Sequence, residues 1–421
     1  MALYHRHIKA LLLSLLEDFR ILYLTGPRQA GKTTIAREIA NELKMQYITL
    51  DDHTALASAK SDPHGFIDSL IRRGPSVIDE FQYAPELVGA IKRASDGFNS
   101  NEKGRIFLTG SADIFSSAKT QEALPGHMVR TELYPLSVTE SSRGKFNLID
   151  FLLSDSFESP SPLPTVHRED LAHVLISGGF PELQSLKPRS RSLWFDSYLR
   201  GRLFKDFESI YDAKGDYHTK LSSLIPYLAG LSGNLLKYAS VANDLEQNDK
   251  VVKSYIEVLE WMFVVKRLRP YLKNKAKRQS IGMPKIHMVD TGMACHLLGL
   301  TTPKQLLASN YYGGLLENFL LMEGYKHLAW SKQPARFYHF RDRQKHEVDL
   351  VLEASNGRLV AVEAKASSTI KMRDFKGIER FAEYVGTSLF SSVIFYSGQE
   401  ILPFKLSTHT AFALPFSLLW S

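Results

Sequence analysis

Cross-linking chemistry is almost absent from this chain of 421 residues, which has one cysteine, Cys295. That excludes an internal disulfide and a cysteine-rich zinc site, and it suits a reducing cytoplasm. The 14 histidines include no H-x-x-x-H pair, so the helical zinc motif is missing too. No stretch approaches the roughly 18 uncharged apolar residues of a membrane span, and no membrane partner is expected. The segment Met1–Leu16 has no small-residue cleavage site and reads as an amphipathic helix, not a signal peptide. Glycine and proline number only 26 and 18, and no repeat or low-complexity tract occurs, which excludes a fibrous or largely disordered chain. One-signed charge is also in short supply. The formal excess of +7 is too small to indicate a polyanionic partner by itself. What is present is 44% hydrophobic and 11% aromatic residues, enough to give two to four domains their own cores.

The first 150 residues alternate short apolar runs with helical stretches. Ile21–Thr25, Met45–Leu50, Val77–Asp79, Arg105–Thr109 and Met128–Leu133 read as strands; Thr34–Lys44 and Glu86–Ala94 read as helices. Such alternation predicts an α/β fold with a doubly wound parallel sheet. Ser154–Pro164 is the best linker candidate. Residues about 168–262 then read as mostly helical, after which strand and turn signals return. Three domains are therefore expected, 1–150, 165–285 and 286–421.

The strongest motif is Gly26-Pro27-Arg28-Gln29-Ala30-Gly31-Lys32-Thr33, followed by Thr34, which fits G-x-x-x-x-G-K-[ST] between a strand and a helix. Gly26 and Gly31 let backbone N–H groups turn toward a phosphate, and the helix start offers its positive dipole end. Lys32 is expected on β- and γ-phosphate oxygens, and the Thr33 hydroxyl on Mg²⁺. The run Ser76-Val-Ile-Asp79-Glu80 ends in two acids at a strand's carboxyl end. Asp79 is assigned to the metal and Glu80 to water activation. Arg105–Thr109 runs into Gly110-Ser111, which puts Ser111 forward as a polar sensor. A P-loop NTPase sheet using ATP and Mg²⁺ is the expectation.

In their order, GPRQAGKTT, VIDEFQYAPEL, RIFLTGSADIF and LYPLS resemble the AAA-family ATPases of bacteria and archaea that carry a C-terminal domain of unknown function. Gly178–Glu182, Trp194–Phe207, Ser254–Glu260, Pro284–Gly292, Glu347–Asp349 and Val362–Lys365 are similar to the later parts of those proteins. The resemblance implies ATP binding, slow hydrolysis, and homo-oligomers with nucleotide at subunit interfaces. One departure is Leu124-Pro-Gly126-His127, where the family often has Gly-Arg. If that arginine touches a neighbour's nucleotide, its role passes to Arg130 or is lost.

Two further features carry expectations. Leu235–Trp261 has helix-turn-helix spacing, and Met262–Tyr271 would begin the hairpin of a winged helix. From Met262 to Lys285 there are eight bases (Lys266, Arg267, Arg269, Lys273, Lys275, Lys277, Arg278 and Lys285) and no acid. That strip is the candidate DNA contact, although Glu257 and Glu260 on the second helix oppose it. Near the C-terminus, Asp349, Glu363 and Lys365 have the D…E-x-K arrangement of a metal-dependent phosphodiesterase, with Glu317 as a fourth member. A three-residue loop, Ser355-Asn356-Gly357, would pair Ala354 with Arg358 and set Asp349 opposite Glu363. A two-residue loop would pair Asp349 with Ala364 instead. The resemblance points to a restriction-endonuclease-like fold here, with a second Mg²⁺ or Mn²⁺ site.

The leading expectation is a cytoplasmic Mg²⁺-dependent ATPase coupled to winged-helix and nuclease-like modules. Two alternatives stand beside it: a nucleotide-gated DNA-binding or scaffolding factor with a silent C-terminal fold, and an ATP-regulated DNA nuclease.

Overall fold

The computed structural model describes residues 4–99, 101–112, 128–157, 162–211, 216–274 and 282–421. His127 and the strip bases Lys275, Lys277 and Arg278 lie outside the described residues. Among the described residues no helix is long and apolar enough to cross a membrane.

One compact unit spans residues 5–135 and takes in 261–263. Its five strands are β1 (Ile21–Thr25), β2 (Gln46–Thr49), β3 (Ser76–Asp79), β4 (Ile106–Gly110) and β5 (Met128–Glu132). All pair in parallel, in the order β2-β3-β4-β1-β5. β1, β3 and β4 are buried throughout, as continuous apolar runs covered by helices on both faces should be. This order brings the carboxyl ends of β1, β3 and β4 side by side, so loops leaving them converge. Helices His53–Ser61 and Pro63–Arg73 start where Asp52 and Asp62 accept the N–H groups of Ala55 and Gly65.

The other unit takes in 136–260 and 264–421. Helix Tyr217–Gly230 leads into β6 (Asn234–Leu235), and helices Tyr238–Asp244 and Asp249–Trp261 follow. β7 (Val265–Leu268) and β8 (Lys285–Met288) follow, in an antiparallel sheet of order β6-β8-β7. The division expected between 285 and 286 falls within β8, which pairs with both β6 and β7.

Six more strands close the chain: β9 (Ala335–Arg341), β10 (Glu347–Ala354), β11 (Leu359–Lys365), β12 (Leu389–Tyr396), β13 (Leu402–Lys405) and β14 (Thr410–Pro415). They form a mixed sheet, β13-β14-β12-β11-β10-β9, with β11, β12 and β14 parallel to one another. Helix Lys376–Val385 buries Ile378, Phe381 and Val385 against it. The β10–β11 turn is the three-residue loop: Ala354 donates to Arg358 at 2.9 Å and Gly357 has φ +85°. The register, Leu350 opposite Val362 through Glu353 opposite Leu359, is the one that loop dictates.

Candidate functional site

The loop leaving β1 needs backbone geometry that only certain residues allow. Gly26 has φ +150°, and a Cβ there would fall 2.1 Å from the Leu133 carbonyl oxygen. Gln29 and Gly31 also take positive φ, 61° and 100°, so the chain curls back before helix Lys32–Glu42 begins. Such a curl turns successive amides toward one point and forms an anion nest. Arg6 braces it from outside, donating to the carbonyls of Ala30 at 2.6 Å and Tyr134 at 2.7 Å. Within the loop, Arg28 donates to the Tyr83 hydroxyl. Lys32 is buried, its ammonium 2.9 and 2.8 Å from the carbonyls of Gly26 and Pro27.

The two acids at the end of β3 part ways. Asp79 is buried and accepts from three hydroxyls: Thr33 at 3.0 Å, and Tyr47 and Thr109 at short range. Residues 46 positions apart in sequence thus place a hydroxyl and a carboxylate together, both hard oxygen donors of the kind Mg²⁺ takes. Tyr47 was not foreseen as a site residue. Burial, then the bond to Asp79, pushes its phenol up, and the Arg37 guanidinium stands 4.7 Å from its ring centroid. Because Thr33 and Thr109 remain on Asp79, Tyr47→Phe should cost only about 1 kcal/mol. Urea unfolding of the nucleotide-free protein measures it.

Glu80 takes φ +58°, ψ 40°, a left-handed conformation uncommon for a side-chain-bearing residue. Its carboxylate accepts from the Gln82 amide, and the Ser111 hydroxyl lies 3.4 Å away. Gln82 is itself fixed at both ends, donating to the Ser111 hydroxyl at 2.9 Å and accepting from the Ser111 N–H at 3.1 Å. The end of β4 therefore grips Glu80 through Gln82. Arg130 lies on β5, part-exposed, 3.1 Å from Glu132 two residues along the same strand face.

The sequence-predicted C-terminal group is only partly assembled. Among the described residues, the group of three acids whose oxygens all come within 4.8 Å of one another is Glu317, Glu347 and Asp349. Glu363 is not among them; its carboxylate pairs with Lys365 at 2.8 Å. Burial, then the charge of Asp349, pushes Glu363 up to about 7. Asp349 instead accepts from the Ala364 N–H at 3.0 Å, beside a register shift between Val348 and Val351. Glu347 takes the place given to Glu363. It lies two residues before Asp349 on β10, opposite Arg341, and accepts from it at 2.6 Å.

Two strip bases also differ from expectation. Lys285 is not a surface base: its side chain is 1% exposed, 2.7 Å from Glu317, in contact with Glu347 and 3.6 Å from Asp349. It alternates with apolar Ile286 and Met288 on a strand buried on both faces, which a count of charges does not reveal. Arg267 is held by Glu260 at 2.6 Å and donates to the Tyr238 hydroxyl at 2.9 Å. The two acids of the second helix, read as repelling DNA, include the one that neutralises this arginine.

A parallel sheet whose first strand feeds an anion nest and a lysine, with a strand-end acid bonded to the following threonine, defines a P-loop nucleotide-binding protein. Residues 18–142 match the model of an AAA domain, and form an AAA-type, ATP-binding NTPase domain. Residues 168–304 and 312–418 match two different domains of unknown function (DUF8612 and DUF4143), neither of which carries an activity with it. An uncharacterized protein of Mycobacterium tuberculosis is 27% identical over 360 residues, covering 83% of this chain and 71% of the relative. One of Methanocaldococcus jannaschii is 24% identical over 382 residues, covering 86% and 78%. A Walker-type ATPase of Pyrococcus abyssi superposes with a TM-score of 0.39 at 16% identity, covering 70% of this chain and 96% of its own.

Proposed function

We propose that the protein is a Mg²⁺-dependent ATP hydrolase, a reading carried by the Thr33–Asp79 contact beside the glycine-conditioned loop. The loop amides would hold the phosphates, while Lys32 exchanges the Gly26 and Pro27 carbonyls for phosphate oxygens of greater negative charge. Thr33 and Asp79 are the residues suited to Mg²⁺, which when bound neutralises charge on the β- and γ-phosphates. Glu80 accepts a proton from, or orients, the attacking water. Ser111 lies close enough to Glu80 and Gln82 to report the γ-phosphate to both. Phosphate release from ATP by the intact chain, with Mg²⁺ and with EDTA, tests this reading. Turnover that requires Mg²⁺ supports it; a chain that neither binds nor hydrolyses ATP overturns it.

Gln82 is a positioning residue in this scheme, acting through Glu80. Gln82→Ala should lower kcat by about tenfold with KM for ATP little changed, the pattern of an interaction needed only in the chemical step. In a Glu80→Gln background the same change should have no further effect, because the group it positions is gone. Additive losses in that double variant would mean a merely structural role.

Helix, strand, two helices and a hairpin in the order of residues 217–288 support a winged-helix module as the element ATP turnover would move. Its base-rich segment supports DNA contact less than its composition suggests, since Arg267 and Lys285 are committed to internal acids. A docking role toward protein is better supported by that arrangement than a strong polyanion grip. Glu317, Glu347 and Asp349 are the residues a second divalent ion would need, but they do not fit one. An ion at roughly 2.0–2.6 Å from their oxygens would collide with the Lys285 ammonium already among them.

A further inference from the structure

The carboxylate centre of the C-terminal unit draws on three separate pieces of chain. Glu317 comes from helix Tyr312–Leu328, Glu347 and Asp349 from β10, and Lys285 from β8. Acids at this spacing normally repel one another and call for a cation. Here the cation is part of the protein. An ammonium has three N–H donors, and three carboxylates stand around it: Glu317 at 2.7 Å, Glu347 in direct contact and Asp349 at 3.6 Å. Burial works to lower the Lys285 pKa, but Glu317, Asp349 and Glu347 together outweigh it and raise it. Glu347 is further offset by Arg341 at 2.6 Å. All of β8 is buried between β6 and β7, so the lysine stem is packed along its length.

A second observation marks the same place. His287 lies on the Lys285 face of β8, fully buried, with neither ring nitrogen hydrogen-bonded and Nε2 3.9 Å from Glu317. Burial, together with Lys285 and His339, pushes its pKa well below the usual range, which keeps the imidazole neutral. Three carboxylates and a neutral imidazole would be a divalent-ion donor set were the ammonium absent.

We infer that Lys285 is the resident cation of this centre: its ammonium takes the position a divalent ion would need, and the acids form a metal-free ion-pair cluster. The centre is then a structural knot tying β8, β10 and helix Tyr312–Leu328 together. The inference goes beyond the ATPase reading and does not depend on it.

Mn²⁺ titration of the intact chain, followed by loss of the free-ion electron paramagnetic resonance signal, tests it. Asp349→Asn should leave the number of Mn²⁺ ions bound per chain unchanged from wild type; a drop of one ion overturns the inference. Lys285→Met should bind one additional Mn²⁺ per chain, at least about tenfold tighter than the Lys285→Met/Asp349→Asn double variant binds it. A folded Lys285→Met chain that gains no ion also overturns it. If Lys285→Met does not fold, the wild-type and Asp349→Asn comparison decides alone.

Discussion

Lys32→Ala is expected to weaken ATP binding by about 100-fold, roughly 2.7 kcal/mol, and to abolish measurable turnover. The size follows from what the ammonium can exchange. In the nucleotide site its donors face the neutral carbonyls of Gly26 and Pro27 at 2.9 and 2.8 Å. Phosphate oxygens offer full negative charge at the same range, adding a charge–charge attraction that the neutral carbonyls do not give the ammonium. Alanine loses that gain entirely, while the loop amides and the helix start keep their weaker hold on the anion. The loop should keep its shape through the backbone of Gly26, Gln29 and Gly31 and the Arg6 brace, although the carbonyls of Gly26 and Pro27 lose the Lys32 ammonium. Calorimetric ATP titration measures the affinity. A melting midpoint within a few degrees of wild type without nucleotide shows that the change acts on the site and not on the fold. Unaltered ATP affinity in this variant would mean that the nest binds something else.

How much of this was legible in the residues depended on how local each signal was. Gly26 to Thr33 could be read because every constraint lies within eight adjacent residues, and the fold had only to place a strand before them and a helix after. Asp79 and Glu80 could be read because a short apolar run ending in acids marks a strand's carboxyl end. The Ser355–Gly357 turn fixed the β10–β11 register for the same reason. Tyr47 and Gln82 were not read. Tyr47 reaches Asp79 only because β2 and β3 are neighbours, and Gln82 reaches Ser111 only because β3 lies beside β4. At the C-terminal centre the E-x-K spacing drew attention to Glu363, whereas the alternation that puts Glu347 and Asp349 on one face of β10 carried the real grouping. Lys285 was the hardest. A lysine in a base-rich run reads as solvated surface, and nothing in its neighbours' charges foretells three acids arriving from residues 317, 347 and 349. Long-range charge pairing leaves no periodic trace.

Glu80→Gln is expected to lower kcat by about 100- to 1,000-fold while leaving ATP affinity within about twofold of wild type. General-base or water-orienting groups contribute factors of this order, and the amide keeps the shape of the carboxylate but accepts no proton. Two structural facts make the separation between binding and turnover sharp. Glu80 lies beyond Asp79 at the end of β3, outside the nest formed by Gly26 to Gly31, so its change leaves the phosphate-holding groups in place. Its left-handed backbone, φ +58°, costs free energy that an ordinary strand-to-loop turn would not, and such strain persists where the neighbouring structure holds it. The neighbours here are Gln82 and Ser111, whose hydrogen bonds to each other survive loss of the charge. The variant should therefore trap ATP, and single-turnover phosphate release against equilibrium binding measures both numbers. A parallel fall in affinity and turnover would instead place Glu80 among the groups that hold the nucleotide. Turnover near wild type would move the water-orienting role to another residue at the ends of β3 and β4.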